Sequence, residues 1–359
     1  MTARPRPPEA NSAQSRKRPT MRDVARLAGG VHPSTVSLAL RNHPGISEAT
    51  RKKVRAAARK LGYRPDPMLD AFNTHRLEVL PHKALPVIAF VADFESRAAL
   101  EKSPHHWALW TGAKAAAETL HCQIELFLLG RGQLTPERLN SILRARGIVS
   151  LVIAACRPIT PRVAFEWTNY SAVKIESAHL ATPLYSVSSD QRQAARLAFR
   201  RLHQAGYRRI GLATDPGAVP RQDELYRAGF LLEQTRWTPE AQIPPLDLPP
   251  EGGVDSVILP WMRQNRIDAV LSDRLDAADA IERSGLRIPA DLGFACLDLP
   301  SRLPRFAGAL ADHGRVGAQA VEQVVSLMRT NQRGLPTTAS CTFVPVAWHE
   351  GPSLRELRA

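Results

Sequence analysis

Side chains that could contact a nucleic acid are concentrated in one short segment near the N-terminus. Ser34, Thr35, Ser37 and Arg41 form the outer polar face of a predicted helix. Hydroxyl groups can hydrogen-bond to phosphates or to base edges, and an arginine can do either. The pattern therefore indicates DNA-contact chemistry, although a generic three-helix bundle with a hydrated surface would carry similar residues.

Three short helices are predicted to position these side chains. Thr20 can cap the first helix, and Asp23 lies three residues later, which is close to a capping box. The Gly29-Gly30 pair ends that helix, the second helix begins near Pro33, and Ser47 can cap the third. A helix, a short turn and a second helix form the geometry that places the second helix in the major groove of DNA.

Positive charge is concentrated in the same region. Residues 1–64 contain 15 Lys/Arg and 3 Asp/Glu, so they carry +12 of the formal net charge of +14. A basic domain joined to a nearly neutral body is the electrostatic pattern of a nucleic-acid-binding protein. The charge distribution therefore favours DNA binding over the generic bundle.

Four motifs occur in order in this region: T-x-x-D-V-A-x-x-A-G, V-x-x-S-T-V-S, I-S-x-x-T-R-x-x-V and L-G-Y-R-P. Together they resemble the N-terminal domain of LacI-type bacterial transcriptional regulators. The resemblance implies a homodimer on a palindromic double-stranded DNA operator, with the second helix in the major groove. The residues expected to contact DNA are Thr20, Arg22, Pro33, Ser34, Thr35, Ser37, Leu38, Arg41, Asn42, Tyr63 and Phe72.

The segment departs from the pattern of that family at three positions. The turn between the first two helices is one residue longer and contains Gly29 and Gly30, and glycine tolerates the positive φ that an enlarged turn requires. His32 replaces the usual serine cap, and Leu38 stands where several relatives have an arginine that reads a base. Leucine offers only apolar contact, so we expect modest direct readout and more specificity from DNA shape.

The composition divides the chain into five regions. Residues 1–19 form a predicted disordered basic tail, 20–65 the helix-turn-helix domain, 66–80 a hinge helix or linker, 81–350 the core and 351–359 a tail.

The resemblance implies that Phe72 wedges into the minor groove and kinks the DNA. An ordinary linker with an apolar anchor is the alternative. Asp70 stands where relatives often have an arginine.

After Leu85, short β-rich segments alternate with amphipathic helical segments. Strand alternating with helix predicts an α/β architecture with parallel sheets, whose ligands bind beyond the carboxyl ends of the strands. Further motifs, among them V-S-S-D at 187–190 and I-P-x-D-L-G-F at 288–294, are similar to the effector-binding core of LacI-type regulators. The fold class expected from the resemblance is multidomain: an all-α helix-turn-helix domain with a hinge helix, then a two-lobed core like that of periplasmic binding proteins. We expect lobe 1 at about 85–170 plus 299–312, and lobe 2 at about 171–297 plus 313–350.

The candidate effector site consists of polar and aromatic residues near predicted strand ends and helix starts. Carboxylates can accept hydrogen bonds from sugar hydroxyls or a purine, and tryptophan can stack on a flat ligand. Helix capping or core packing would explain each residue individually. The set comprises Asp93, Phe94, Trp107, Trp110, Tyr226, Arg227, Asp273 and Asp298.

The identity of the effector stays open among a sugar, a nucleobase and a related metabolite. Relatives that bind sugars have an arginine where this chain has Tyr226, and their A-N-D segment reads Leu271-Ser272-Asp273 here. The ligand could therefore belong to another class, or the pocket could be vestigial.

Several other function classes lack a sequence signal. No nucleophile elbow, zinc-protease motif or phosphate-binding loop occurs, so we expect no enzyme, no cofactor and no catalytic residue. His105-His106 reads as a surface loop, and we expect no metal site. The four cysteines are far apart and fit no metal spacing, which predicts reduced thiols. No membrane span and no signal core are present, so we expect a cytoplasmic protein.

A transcriptional regulator that acts as a repressor is thus the leading hypothesis. The alternatives are a solute-binding protein with a fused basic arm, an α/β enzyme, and a DNA-binding protein whose pocket no longer responds to a ligand. Because the chain lacks a long heptad tail, a homodimer is favoured over a tetramer.

Overall fold

The computed structural model describes ten segments of the chain and divides into two units. The described residues are 20–40, 45–61, 63, 85–129, 132–154, 165–175, 182–215, 224–250, 252–299 and 305–355. The units are Met1–Val79 and Leu80–Ala359. The predicted tail 1–19, the hinge 66–80, Arg41, Asn42 and Phe72 lie outside the described residues. Within the described segments, no helix has the length and apolar character needed to cross a bilayer.

The N-terminal unit contains three helices, which confirms their prediction from capping and turn signals. They are α1 (Met21–Leu27), α2 (Pro33–Leu40) and α3 (Glu48–Leu61). Small apolar side chains from all three helices form its core, with Val24, Val36 and Val54 at 0% exposure. Each of the three helices therefore contributes a narrow apolar stripe to this core.

Both predicted helix caps are present in this unit. The amide of Asp23 donates to the Thr20 hydroxyl at 3.4 Å, and the Thr20 amide donates to the Asp23 carboxylate at 2.8 Å, which completes a capping box. The amide of Thr50 donates to the Ser47 hydroxyl at 3.3 Å and caps α3. These bonds satisfy amides that would otherwise have no partner within the helix.

The larger unit contains twelve strands in its described residues. They are β1 (Val87–Ala92), β2 (Gln123–Leu128), β3 (Ser150–Ile153), β4 (Ser171–Ile175), β5 (Tyr185–Ser189), β6 (Ile210–Thr214), β7 (Leu246–Asp247), β8 (Ala269–Ser272), β9 (Gly293–Leu299), β10 (Ala307–Ala311), β11 (Cys341–Val344) and β12 (Val346–His349).

Its helices in those residues are α4 (Arg97–Glu101), α5 (Pro104–Thr119), α6 (Pro136–Ala145), α7 (Gln191–Gln204), α8 (Glu224–Trp237), α9 (Val254–Asn265), α10 (Asp276–Arg283) and α11 (His313–Arg329).

Two six-stranded sheets define two lobes of the core. The first sheet has the order β11-β5-β4-β3-β1-β2 and the second β12-β10-β9-β8-β6-β7. All neighbouring strands are parallel except β10 and β12, which pair antiparallel. Apolar clusters cover both faces of each sheet, as parallel sheets require. The predicted parallel α/β core with two lobes is confirmed.

The predicted lobe bounds are wrong in three places. Strands β4 and β5 join the first sheet, β10 joins the second, and α11 with β11 belongs to the first lobe. The chain therefore crosses between lobes after β5, after β10 and between β11 and β12. The residue types of a strand do not reveal which sheet it joins, because membership depends on pairing between strands that are far apart in the sequence.

Helices α5 and α11 of the first lobe touch through their backbones. A Cβ atom on Gly317 would lie 2.0 Å from the carbonyl oxygen of Leu109, and one on Gly112 would lie 2.0 Å from that of Gly314. These positions therefore accept only glycine without a shift of backbone. The close packing fixes the N-terminal ends of both helices relative to each other.

A buried carboxylate with two half-exposed arginine partners joins helices α7 and α8 of the second lobe. Glu233 is 0% exposed and accepts hydrogen bonds from Arg196 at 2.8 Å, from Arg200 at 2.7 and 2.8 Å, and from the indole of Trp237 at 2.9 Å. Burial alone would raise the pKa of Glu233, but the bonds from Arg200, Arg196 and Trp237 outweigh it and lower the pKa to about 2.

We expect Glu233→Gln to lower the free energy of unfolding of the core by about 2 kcal/mol at pH 7, because it removes the buried charge that accepts hydrogen bonds from two half-exposed arginines. A depressed folded pKa stabilises above the unfolded pKa, so the difference from the wild type should shrink as the pH falls from about 4.5 towards 2. Urea denaturation at several pH values measures this. The exposed Glu240→Gln is the control, and equal stability of the two variants at pH 7 would contradict the prediction.

Candidate functional site

The second helix of the N-terminal unit presents an apolar side chain to solvent. Leu38 is 37% exposed and Thr35 is half-buried, whereas Val36 and Ala39 on the opposite side are fully buried. The predicted contact residues Pro33, Ser34 and Ser37 also belong to α2, but their side chains lie outside the described part of the structure. Leu38 is thus accessible on α2, and the DNA contacts of the other predicted residues of this helix stay a prediction.

The enlarged turn before α2 uses glycine at both of its unusual positions. Gly29 has φ +99° and Gly30 has φ +76°, a region that side chains with a Cβ rarely adopt. The carbonyl of His32 then accepts hydrogen bonds from the amides of Thr35 at 2.9 Å and Val36 at 3.2 Å. His32 therefore stands at the start of α2, where the family pattern places a serine.

Three of the other expected contact residues have structural roles or surface positions in this unit. The Thr20 hydroxyl bonds to Asp23 in the capping box, and Arg22 is exposed on α1. Tyr63 packs against the three-helix core, and its amide donates to the Ala58 carbonyl at 2.9 Å. Their contact with DNA stays a prediction.

Helix α3 supplies a positively charged face. Arg51 is turned back onto its own unit, where its guanidinium donates to the Ile46 carbonyl at 2.8 and 3.0 Å and lies 3.2 Å from Glu48. The I-S-x-x-T-R motif therefore fixes the start of α3. The exposed basic side chains of this helix are Lys52, Lys53, Arg55, Arg59 and Lys60. Such a face attracts a phosphate backbone without reading its sequence.

The second candidate site lies between the two lobes of the core. Asp93 follows β1 and is 8% exposed, Asp215 follows β6, Asp273 follows β8, and Asp298 lies near the end of β9. The carboxyl ends of parallel strands are where α/β folds bind ligands. Asp298 of the second sheet lies 3.7 Å from the Nε2 atom of His105, which is on α5 of the first lobe.

Charges in this cleft shift two carboxylates in opposite directions. Burial, together with the charges of Asp215 and Asp298, raises the pKa of Asp273 to about 7, even though the amide of Asp215 donates to it at 3.3 Å. Burial also opposes ionisation of Asp298, but a hydrogen bond with His313 and the fields of His313 and His105 lower its pKa below the usual range. At neutral pH the cleft therefore holds one carboxylate that is ionised and one that is partly protonated.

The aromatic candidates for ligand stacking pack into the protein instead. Trp110 is 6% exposed and meets Phe90 edge-on, with ring centres 5.3 Å apart, so core packing replaces its predicted stacking role. Phe94 is 8% exposed and packs edge-on against His106 at 5.0 Å. Trp107 is half-buried, and the Arg97 guanidinium lies 5.8 Å from its ring centre.

The two candidates on α8 also have structural partners. Tyr226 is 5% exposed within the apolar core of the second lobe, and Arg227 forms an ion pair with Asp247. Their contact with an effector is an untested prediction. Within the predicted set, the charge of Asp298 contributes to the raised pKa of Asp273.

Sequence reasoning missed His105, His313, Asp215 and Arg274. The prediction that His105 lies in a surface loop is wrong, because Pro104 begins α5 and His105 is in its first turn. A proline at the first helical position was the available signal. His313 is 3% exposed at the start of α11, and no local pattern distinguishes it from a helix-capping residue. Arg274 is bonded to Asp276 and lies 3.8 Å from Asp215.

We expect Asp273→Asn to stabilise the core at pH 8 by on the order of 2 kcal/mol, since one pKa unit corresponds to about 1.4 kcal/mol and partial exposure reduces the effect. A carboxyl whose folded pKa is raised costs stability above that pKa, so the gain should disappear as the pH falls from about 7 towards 4. Thermal denaturation from pH 4 to 8 measures it. The exposed Asp279→Asn serves as control, and a gain that is independent of pH would contradict the assignment.

Comparison with known proteins gives matches to both units. The model of the bacterial regulatory proteins of the lacI family matches residues 20–66. The HTH-type transcriptional regulator CelR of Thermobifida fusca is 26% identical over 328 residues, which cover 88% of this chain and 90% of CelR. The HTH-type transcriptional regulator TreR of Escherichia coli (strain K12) is 29% identical over 213 residues, so the matched region spans 58% of this chain and 62% of TreR.

Solved structures show the same fold along nearly the whole chain. A complex of the transcriptional regulator CelR with cellobiose has a TM-score of 0.58 at 19% identity, and covers 94% of this chain and 100% of that one. The Lac repressor dimer bound to its operator and the anti-inducer ONPF has a TM-score of 0.56 at 21% identity, and covers 95% of this chain and 100% of that one. A helix-turn-helix unit followed by a two-lobed core is thus the architecture of this chain and of both regulators.

Proposed function

Because this chain is a LacI-type DNA-binding transcriptional regulator, we propose that it acts in the cytoplasm as a homodimeric repressor on a palindromic operator. A small molecule in the interlobe cleft would control its affinity for that operator. The observation that supports the proposal is the exposed Leu38 on α2, in a unit whose third helix presents five exposed basic side chains. We propose no catalytic role.

Specificity on this operator is proposed to come more from DNA shape and half-site spacing than from hydrogen bonds to bases. Leu38 offers only apolar contact, for example with a thymine methyl group. The longer glycine turn at 29–30 alters the connection between α1 and α2. A homodimer places two such helices on successive major grooves, so the distance between half-sites enters the binding energy directly.

The effector is proposed to be a small molecule with several hydroxyl groups. Asp93, Asp215 and Asp273 supply carboxyl oxygens, which accept hydrogen bonds from such donors. The CelR structure similar to this chain is a complex with cellobiose, a sugar, which supports this class. Tyr226 and Ser272 stand where sugar-binding relatives have other residues, so the ligand need not be a disaccharide.

We expect Leu38→Ala to weaken operator binding about fivefold to tenfold, which is the loss of about 1 kcal/mol of apolar contact. The operator is first selected from random DNA with the full-length protein, and affinities are then measured by fluorescence anisotropy at several salt concentrations. Affinity should fall steeply with salt, and changing the half-site spacing by one base pair should weaken binding more than Leu38→Ala does.

Leu27→Ala is the matched control for that measurement, because Leu27 is equally apolar and 44% exposed but lies on α1. Loss of all binding in Leu38→Ala, with no effect of spacing, would contradict shape-dominated readout. If the protein selects no preferred sequence from random DNA, the proposal that it is a sequence-specific regulator is wrong.

We expect a polyhydroxylated ligand to raise the melting temperature of the full chain in a screen of sugars, nucleobases and small acids. At 100 times its Kd a ligand stabilises the folded state by about 2.7 kcal/mol. Asp93→Asn should abolish the shift and Asp279→Asn should retain it, because Asp93 lies at the end of β1 whereas Asp279 is on the surface of α10. A complete lack of hits would favour a regulator that does not respond to a ligand in this cleft.

A further inference from the structure

Two histidines and one aspartate lie close together between the lobes, and one of the histidine nitrogens has no hydrogen-bond partner among the described residues. The Nε2 atom of His313 lies 3.0 Å from one carboxylate oxygen of Asp298, and that of His105 lies 3.7 Å from the other. The two imidazole rings are edge to face, with centres 4.7 Å apart. One nitrogen or oxygen of each residue lies within 4.8 Å of those of the other two.

His313 is hydrogen-bonded to Asp298, whereas His105 is not hydrogen-bonded to either residue. The Nε2 atom of His105 is buried and has no hydrogen-bond partner among the residues that the structure describes. A buried nitrogen without a hydrogen-bond partner destabilises the folded state. A ligand that accepts a nitrogen lone pair at this point would remove that cost.

The separations between these atoms suit a small divalent cation. Zinc binds imidazole nitrogen at about 2.0–2.1 Å and carboxylate oxygen at about 2.0–2.2 Å, so two ligand atoms of a tetrahedral ion lie about 3.4 Å apart. The observed 3.0 and 3.7 Å separations lie on either side of that value.

The elements that carry the three residues are held in place. His105 is in the first turn of α5 and His313 begins α11, and these helices touch through Gly112 and Gly317. Asp298 belongs to β9, which is paired on both sides within the second sheet. Two ligands therefore come from rigid helices of one lobe and the third from an interior strand of the other.

We propose that His105, Asp298 and His313 form a binding site for a divalent transition-metal ion of the zinc class. Two imidazoles favour zinc, copper, nickel or iron over magnesium and calcium, which prefer all-oxygen ligands. Three protein ligands are one fewer than in a closed structural zinc site, so one position remains for water or for an oxygen of a bound small molecule. Occupancy ties the lobes together at this point, and the proposal does not depend on the identity of the operator or effector.

The test uses the full chain, purified without a histidine tag and stripped with EDTA. Isothermal titration with Zn²⁺ and the visible absorption of bound Co²⁺ provide two independent readouts. The wild type should bind one ion per chain at this site, and Zn²⁺ should raise its melting temperature, whereas Mg²⁺ should not compete. His105→Gln and Asp298→Asn should each weaken Zn²⁺ binding by at least about tenfold and remove the Co²⁺ absorption.

His106→Gln is the matched control, because His106 is adjacent on α5 but bonds to Ser103 and lies outside the cluster. It should change Zn²⁺ affinity by less than about twofold. If Asp298→Asn does not fold, His105→Gln decides, since that side chain is 32% exposed and its replacement leaves the bond between Asp298 and His313 in place. Equal binding by the wild type and His105→Gln, or no binding by the wild type, overturns the proposal.

Discussion

The carboxylate of Asp298 is the point at which the two halves of the core are tied together. It belongs to the second sheet, and its neighbours His313 and His105 lie on helices that pack on the first. Those helices have no room to slide, because Gly112 and Gly317 bring their backbones into contact. A change in charge or a bound metal ion at Asp298 would therefore act on groups of both lobes at once.

The cleft concentrates negative charge, while the DNA-binding unit concentrates positive charge. Asp273 and Asp298 influence each other electrostatically, and burial and neighbouring charges leave Asp273 with a pKa of about 7. The N-terminal segment carries nearly all of the net positive charge of the chain. Attraction for DNA thus depends on the basic side chains of the N-terminal unit, and recognition of a small molecule on the carboxylates of the cleft. The lobes are the proposed connection between these two sets of residues.

Local signals predicted the N-terminal unit well, because its structure depends on contacts between residues close in sequence. The capping box at Thr20, the cap at Ser47 and the positive φ at Gly29 and Gly30 each follow from residue type and spacing. The alternation of strand and helix likewise predicted the parallel sheets of the core. Strand β5 has three serines in five residues, a composition more typical of a loop, so residue type does not identify it as a strand.

The cleft was predicted only in part, because its members are far apart in sequence. The predicted strand ends indicated Asp273 and Asp298. No local sequence pattern connects His105 with His313, because these residues are more than two hundred positions apart and meet only where α5 packs against α11. Trp110 has the residue type of a stacking platform, yet its helical phase turns it into the core. Lobe membership depends on strand pairing, which composition does not encode.

Reciprocal linkage between operator and cleft ligand tests the central claim most directly. The affinity of the full chain for its operator is measured with and without the ligand, and the affinity for the ligand is measured with and without operator. Thermodynamic linkage requires both ratios to be the same, and couplings of this kind are typically about 5-fold to 150-fold. Equal ratios within that range are the predicted result. A ligand that binds the cleft with the same affinity whether or not operator is present would contradict the account.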